Sequence, residues 1–355
     1  MTAPASRRRT LALLAVLVST GGTLLVAEVA LRIASGDPFS VPDPGGEIRM
    51  VGVAYPGMHE PLLGYVPKPG VSTLNAWGTP VTIEPDGVRS NGPESRPDGD
   101  PIVAVGDSFT FGDEVSDHET WPARLESRMG RPILNGGVFG YGLDQIVLRS
   151  ERLLARVDAD ILLVSFTADD VRRCEYAYRY SWKPWFAIVE GALELRGVPV
   201  PEPSAPPPGE SLWRRALRPS FLGDLLMRRL DPEHWLIPDS LRVHRQGVSV
   251  ARLLVDRLAD AAAERGHALL LVYQWHPLSE GASALPVLRR AQERGVPVLR
   301  MESLLRREMT RHPEGTEALF RIERGPGGVV AVGHMTALGN DVVAQAIARR
   351  LAKGL

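Results

Sequence analysis

The chain has 355 residues, a formal net charge of −1, 44% hydrophobic residues, 23% charged residues and one cysteine. This length suits one large α/β domain with attached segments. The single Cys174 excludes an intramolecular disulfide and a cysteine-rich zinc site, and the near-neutral charge argues against nucleic-acid binding.

The N-terminal segment is the first element along the chain. Arg7, Arg8 and Arg9 precede a run from Thr10 to Ala27 that carries no charge. As a helix this run spans about 27 Å, close to the roughly 30 Å of a bilayer core. We therefore predict a cytoplasmic basic tail (residues 1–9) and a transmembrane signal anchor (residues 10–33), with the rest of the chain on the extracytoplasmic side of the cytoplasmic membrane.

Two other interpretations of this segment remain open. A cleaved signal peptide is disfavoured because the run exceeds the usual apolar region of about 7–15 residues and no small-x-small site ends it. A buried soluble helix is disfavoured because no polar face interrupts the run. In an anchor, Glu28 and Arg32 lie one helical turn apart at the outer interface, where they can form an ion pair.

The rest of the chain divides by composition into an extension and a large domain. Residues 34–98 are rich in proline and glycine and read as a stalk followed by a small β extension that includes VTIEP. Residues 99–355 form the main domain, interrupted at about 175–240 by an aromatic and proline-rich insertion. Its predicted strands are IVAVG, PILNGGV, ILLVSF, ALLLVY and VPVLRM, and its predicted helices lie near Trp121–Met129, Leu143–Val157, Val248–Arg265, Ala284–Arg294 and Gly339–Ala352.

This alternation of strands and helices predicts an α/β fold in which a parallel sheet is covered by helices on both faces, a three-layer sandwich. Ligands bind beyond the carboxyl ends of such strands. The first strand ends in VAVGDSFTFG, where Ser108 follows Asp107 between Gly106 and Gly112. Glycine permits a sharp turn that exposes a nucleophilic hydroxyl, although Asp or Ser in this position often only caps a helix.

Three further segments place polar residues or bare backbone at comparable positions. Asn135, Gly136 and Gly137 follow the second strand, and a tight turn would explain them equally well. Asp169 and Asp170 follow the third strand, where a solvated loop or a helix cap is the simpler explanation. His334 precedes the last helix in GHMTALGN. None of the eight histidines has a convincing metal-ligand spacing, so we predict neither a metal nor a cofactor.

Taken together, GDSFTFG, the Asn-x-Gly segment, the polar pair and GHMTALGN resemble the SGNH (GDSL-like) hydrolase family over about residues 101–355, apart from the insertion. The apolar span, EPLLGY and DGVRSNGPE resemble membrane-anchored bacterial members. The resemblance implies a flavodoxin-like SGNH hydrolase fold. It also implies that Ser108 is the nucleophile and His334 the general base, with the backbone N–H groups of Ser108 and Gly137 in the oxyanion hole.

Two positions depart from the family pattern. Asp169 occupies the place of an Asn that donates to the oxyanion, and an ionised carboxylate cannot donate a hydrogen bond; Asp170 matches the family's following Asp. Ala331 and Val332 stand where the family carries an Asp that orients the histidine. The site is then a Ser–His dyad, unless Glu323, Asp169 or another carboxylate reaches His334.

We therefore expect an anchored extracytoplasmic serine esterase or O-acyltransferase that acts on O-acyl groups, most simply acetyl groups, of envelope carbohydrate. A catalytically impaired envelope binding or scaffold protein and a lipase-type esterase are the alternatives. The sequence does not separate hydrolysis from acyl transfer and does not specify an oligomeric state.

Overall fold

The structure is a computed structural model that describes residues 5–34, 57–74, 78–92, 96–179, 181–202, 212–231, 235, 240–278, 281–325 and 328–354. It divides into two compact units, Met1–Met50 with Pro208–Ser240 and Val51–Pro207 with Leu241–Leu355. The insertion predicted at about 175–240 is therefore shared between the units, and the early part of the predicted stalk lies outside the described residues.

The first unit contains three described helices, α1 (Ala5–Ala34), α6 (Leu212–Leu217) and α7 (Phe221–Leu230). The segment Arg9–Ala34 of α1 is long and apolar enough to cross a membrane, and none of its most apolar stretch is buried. Glu28 and Arg32 form the expected i,i+4 ion pair, with Arg32 Nε 2.9 Å from Glu28 Oε1.

The second unit is built on a five-stranded parallel sheet. Its strands are β5 (Ile102–Val105), β6 (Ile133–Asn135), β7 (Ile161–Phe166), β13 (Ala268–Tyr273) and β14 (Val298–Arg300). Their order across the sheet is β14-β13-β7-β5-β6. Counted along this sheet alone, that is the 2-1-3-4-5 order of flavodoxin-like folds.

Helices cover both faces of the sheet. They are α2 (Ser108–Phe111), α3 (Trp121–Met129), α4 (Leu143–Leu154), α5 (Ala168–Arg173), α8 (Gly247–Arg265), α9 (Leu285–Glu293), α10 (Glu302–Met309), α11 (Thr316–Leu319) and α12 (Ala337–Leu351), with a 3₁₀ turn at Asp117–Glu119.

Alternation along the strands explains the three layers. Val103 and Val105 belong to one buried cluster, which includes α4, α8 and α9, whereas Ile102 and Ala104 belong to the other, which includes α3, α10 and α12. Successive side chains of a strand point to opposite faces, so a strand that is apolar throughout is buried on both sides. The predicted three-layer α/β sandwich is confirmed.

Short antiparallel strands complete the second unit. The extension before the sheet contributes β1 (Gly57–Glu60), β2 (Gly64–Pro67), β3 (Ser72–Leu74) and β4 (Pro80–Thr82). The first half of the predicted insertion contributes β8 (Tyr176–Arg179), β9 (Ser181–Trp182), β10 (Trp185–Val189) and β11 (Ala192–Arg196), and β12 (Leu241–Arg242) pairs with β8. A hairpin of β15 (Phe320–Gly325) and β16 (Gly328–Met335) precedes α12.

Candidate active site

Ser108 lies at the carboxyl edge of the sheet, as the first residue of α2. The chain turns sharply after β5 because Gly106 has no side chain: a Cβ there would lie 2.1 Å from Thr110 Oγ1 and 2.8 Å from the Ser165 carbonyl oxygen. Asp107 caps the helix, since its Oδ1 accepts a hydrogen bond from the Phe109 N–H at 3.0 Å. The helix-cap interpretation therefore holds for Asp107, and it leaves the adjacent Ser108 hydroxyl directed at a histidine.

That histidine is His334, which lies near the end of β16. Its Nε2 is 2.8 Å from Ser108 Oγ and its Nδ1 is 2.8 Å from Glu114 Oε1. Because a carboxylate only accepts hydrogen bonds, Nδ1 carries the proton and Nε2 faces the serine hydroxyl as an acceptor. Ser108, His334 and Glu114 thus form one continuous series of contacts from hydroxyl to imidazole to carboxylate.

Glu114 is the member of this series that the sequence did not assign. It lies in the loop after α2, is almost fully buried, and reaches His334 from the serine side instead of from the segment before the histidine. The available signal was local: two adjacent acids follow the serine motif in GDSFTFGDEV. Asp169, one alternative for this role, pairs with Arg172 instead. The side chain of Glu323, the other alternative, lies outside the described part of the structure.

Charge and burial have opposite effects on the pKa values of His334 and Glu114. Burial lowers the pKa of His334, but the hydrogen bond that the ring donates to Glu114 and the charges of Asp113, Glu114 and Asp107 outweigh it and raise that pKa above its ordinary value. Burial raises the pKa of Glu114, yet the hydrogen bond that Glu114 accepts from His334 and the charge of that ring hold the pKa below its usual value. Glu114 is therefore ionised at neutral pH.

The loop that carries Glu114 is fixed by a fully buried arginine from the extension. The Arg89 guanidinium donates to the carbonyl oxygens of Phe111 and Val115, both at 2.7 Å, and its Nε lies 3.0 Å from Asp117 Oδ1. Arg321 donates to the Glu114 carbonyl oxygen at 2.8 Å. The small β extension thus contributes directly to the placement of the carboxylate.

His276 fixes the strand on the histidine side. Its Nε2 lies 3.1 Å and 3.2 Å from the carbonyl oxygens of Val332 and Gly333, so this nitrogen donates to the two residues before His334. Burial and the nearby His334 lower the pKa of His276. His276 is a positioning residue that the sequence did not single out.

Gly137 and Asp169, at the other two positions that the resemblance assigns to the oxyanion hole, both have partners in the structure. The Gly137 N–H points at Asn135 Oδ1, 3.2 Å away, and Gly137 packs so closely that a Cβ would lie 2.3 Å from the Phe111 nitrogen. Asp169 forms an ion pair with Arg172. Burial raises the pKa of Asp169, but Arg172 and Arg173 hold it below its ordinary value, so Asp169 is ionised and is not a hydrogen-bond donor at neutral pH.

The remaining candidate, Asp170, has its partners within the fold. Asp170 is fully buried and accepts from the Thr167 N–H at 2.7 Å and from Arg173 Nη1 at 2.6 Å; burial and Asp107 raise its pKa well above the usual value. Arg173 also lies 3.6 Å from Asp107 Oδ2, so one guanidinium serves two buried carboxyls. Cys174 is buried nearby, and burial raises the pKa of its thiol well above normal.

Within the described ranges, no group of three or more His, Cys, Asp or Glu side chains is arranged to hold a metal ion.

Known proteins resemble this chain in structure rather than in sequence. No family model matches the sequence, and no curated protein sequence matches it. A member of the lipolytic G-D-S-L family from Veillonella parvula DSM 2008 is 12% identical, with a TM-score of 0.41 over 72% of this chain and 100% of that one. A putative lipolytic protein of the G-D-S-L family from Desulfitobacterium hafniense DCB-2 is 12% identical, with a TM-score of 0.40 over 71% of this chain and 99% of that one.

A catalytic mutant of Axe2, an acetylxylan esterase from Geobacillus stearothermophilus, is 13% identical, with a TM-score of 0.40 over 73% of this chain and 96% of that one. No residue role in this chain rests on these likenesses. The chain itself has the five-stranded parallel sheet and carries the serine and histidine motifs at one edge of it, and in motifs and fold it resembles the SGNH (GDSL-like) hydrolases.

Proposed function

We propose that the chain is a serine esterase or O-acyltransferase in which Ser108 is the nucleophile and His334 the general base. Glu114 orients the His334 ring and stabilises its positive charge. The observation that carries this proposal is the continuous contact from Ser108 Oγ to His334 Nε2 and from His334 Nδ1 to Glu114, each 2.8 Å long. A serine hydroxyl is a weak nucleophile and needs such an adjacent base.

The reaction follows from this geometry. Ser108 Oγ attacks the ester carbonyl carbon while its proton passes to His334 Nε2, and Glu114 stabilises the imidazolium that forms. The tetrahedral intermediate then collapses: the bond to the alkoxy oxygen breaks, and that oxygen takes the proton from His334. Water, or an acceptor hydroxyl, attacks the acyl-serine and gives its proton to His334. The bond from the acyl carbon to Ser108 Oγ then breaks and Oγ takes that proton back from His334, so the products are a carboxylic acid, or a new ester, and free Ser108.

Charge on the carbonyl oxygen must be stabilised during both steps. The Ser108 N–H lies in the first turn of α2, where N–H groups have no partner within the helix. The Gly137 N–H is the second proposed donor, and it must exchange Asn135 Oδ1 for the oxyanion. One such donor contributes about 3–4 kcal/mol, so the absence of a donor at Asp169 predicts a slow enzyme.

The substrate class and the location are part of the proposal. O-Acyl, most simply O-acetyl, groups of carbohydrate follow from the family resemblance of the motifs. Anchoring by residues 10–33 follows from the apolar helix Arg9–Ala34 and from the basic residues before it, which predict an extracytoplasmic catalytic unit. The N-terminal mass of the protein purified from membranes tests the anchor; a cleaved N-terminus would contradict it.

Hydrolysis of p-nitrophenyl acetate by the full-length protein in detergent tests the chemistry. The Ser108→Ala variant is the matched control, because it removes only the hydroxyl of a buried residue. Equal rates for the two proteins would refute the assignment of Ser108 as the nucleophile. Adding an acceptor sugar and analysing the products by mass then separates transfer from hydrolysis, and long-chain esters distinguish a lipase-type preference.

One observation favours a second function, that of a non-catalytic binding protein of the envelope. The ionised Asp169 lies at the position where the family has an oxyanion donor, and Arg172 holds its charge. This alternative predicts that a fluorophosphonate probe leaves Ser108 unlabelled and that Asp169→Asn produces no activity. Labelling of Ser108 that disappears in Ser108→Ala would exclude it.

A further inference from the structure

A carboxylate of the apolar helix caps a second helix of the same unit. Glu28 of α1 accepts hydrogen bonds from the Ser220 hydroxyl at 2.8 Å, from the Phe221 N–H at 3.0 Å and from the Leu222 N–H at 2.9 Å. The first N–H groups of a helix have no partner within it, and an anionic group is favourable there. The beginning of α7 is therefore fixed to α1 by three hydrogen bonds to one side chain.

Arg32 completes the attachment. It pairs with Glu28, donates from Nη2 to the Pro219 carbonyl oxygen at 2.5 Å, and its guanidinium carbon lies 5.1 Å from the centre of the Phe221 ring. The contact joins segments almost 200 residues apart in sequence. Cleavage of a leader after Arg32 would remove this partner of α7, so the attachment fits a protein that retains Glu28 and Arg32.

The position of Glu28 sets the level of α7 relative to a bilayer, and this step rests on the proposed anchor. Glu28 is the first charged residue after the uncharged run Thr10–Ala27, so it lies at the outer end of the span. The N-terminus of α7 then lies at the level of the lipid headgroups.

Both α7, which begins at that level, and the neighbouring α6 expose apolar side chains. Leu212 is 82% exposed, Leu226 53% and Leu230 68%, and the full exposed set is Leu212, Trp213, Leu217, Leu225, Leu226 and Leu230. Arginines lie among them, with Arg215 and Arg229 exposed. Short helices with exposed leucine and tryptophan next to arginine are typical of segments that lie in the membrane interface.

The unit has a small core of its own, which leaves those leucines outside. Trp235 is fully buried, donates from its indole nitrogen to Asp224 Oδ1 at 2.7 Å, and stacks on Trp213 with ring centres 6.2 Å apart. The buried Arg214 donates to the Trp235 carbonyl oxygen. Trp235 thus ties α6 to α7 while the leucines face outward.

We propose that residues 212–230 form an interfacial membrane-binding element, which Glu28 and Arg32 hold at the outer end of the membrane span. Its ligand is the headgroup and upper acyl region of the bilayer. The insertion between the catalytic segments thereby gives the protein a second point of attachment to the membrane, beside the span itself.

Lipid-dependent fluorescence quenching of the full-length protein tests this proposal. Single cysteines replace Leu226 and Leu230, each carrying an environment-sensitive dye, in vesicles of phosphatidylethanolamine and phosphatidylglycerol with spin labels near the headgroup or near the acyl-chain end. Leu285, which is 48% exposed in the other unit, is the control position. We expect quenching by the shallow spin label at both leucines to exceed that at Leu285 at least about threefold.

A cysteine at Leu17, in the middle of the apolar run, separates this proposal from the anchor. Strong quenching by the deep spin label at Leu17 together with control-level quenching at Leu226 and Leu230 would overturn the interfacial element and leave the anchor intact. Loss of the N-terminal segment from the protein would overturn both. Leucines covered by a second copy of the chain would also remain unquenched and would refute the proposal.

The Glu28→Ala variant tests the attachment itself. It removes the acceptor of the three hydrogen bonds and leaves the apolar run unchanged. We expect quenching at Leu17 to persist while quenching at Leu226 falls at least about twofold, because the Phe221 and Leu222 N–H groups lose their acceptor on α1 and the beginning of α7 is released from it. Unchanged quenching at Leu226 would refute the role of Glu28.

Discussion

Replacement of Glu114 by Gln is the sharpest test of the series of contacts from Ser108 to Glu114. The change keeps the size of the side chain but removes the charge that faces His334 Nδ1 at 2.8 Å. The charge centres of a carboxylate and an imidazolium in such a pair lie about 4 Å apart, and two unit charges at that distance interact by about 4 kcal/mol at an effective dielectric constant of 20. Each factor of ten in rate corresponds to about 1.4 kcal/mol.

We therefore expect Glu114→Gln to lower kcat/KM for p-nitrophenyl acetate about 10³-fold, because the charge is needed when His334 becomes an imidazolium. The pH profile supplies an independent readout. His334 acts as a base only when neutral, and its pKa is raised by Glu114, so the activity of the unmodified protein increases with pH through a value above 6.5. Removal of the Glu114 charge should move this rise to lower pH.

Asp113→Asn is the matched control, since it makes the same chemical change one residue earlier in the same loop. Its carboxyl lies close enough to influence His334 through charge, but no step of the reaction is assigned to it, and we expect kcat/KM to fall by less than about tenfold. A Glu114→Gln protein that retains a third or more of the activity, or an effect of Asp113→Asn as large as that of Glu114→Gln, would refute the assignment.

Three further predictions concern the surroundings of the site. Gly333→Ala would place a Cβ 2.7 Å from both carboxylate oxygens of Glu114, so it should displace that flexible side chain and reduce kcat with little loss of thermal stability. Lys183→Met would leave Asp144 buried without its partner, 2.5 Å away, and should cost about 3–5 kcal/mol in urea-induced unfolding. Burial raises the pKa of Asp113 from 3.8 to about 7, so between these values the folded state retains a proton that the unfolded state has released. The free energy of unfolding therefore falls as pH increases from about 4 to about 7. Asp113→Asn should flatten this dependence, which urea titrations at pH 5 and pH 8 would measure.

The regular part of the fold was predictable because burial on both faces leaves a strong apolar pattern. ILLVSF and ALLLVY coincide with Ile161–Phe166 and Ala268–Tyr273, and the helix Trp121–Met129 has its predicted bounds. Helix ends differed by one to three residues; the helix predicted to reach Val157 ends at Leu154. Terminal turns depend on local capping, to which an apolar pattern is insensitive.

The insertion was less predictable, because its two halves pack on different partners. β8 to β11 belong to the unit of the five-stranded sheet, whereas α6 and α7 belong to the unit of α1. The attachment of α7 depends on Glu28. The spacing of Glu28 from Arg32 in the sequence indicates an ion pair within α1 but not a contact with a second helix. Long-range hydrogen bonds of this kind have no periodicity and leave no signature in one sequence.

The same reasoning explains why the contact of Glu114 with His334 was not predicted, although Ser108 and His334 were singled out. The serine and histidine lie in glycine-bounded motifs at an expected edge of the sheet, but Glu114 reaches the histidine only because Arg89 and Arg321 hold its loop. In β16, Ala331 and Val332 stand at the positions where the family pattern places the orienting acid, so neither position supplies a carboxylate. Gly333 leaves room for another carboxylate, since a Cβ there would lie 2.7 Å from both carboxylate oxygens of Glu114. The carboxylate that accepts from His334 therefore comes from the loop after Ser108 and not from the strand before the histidine.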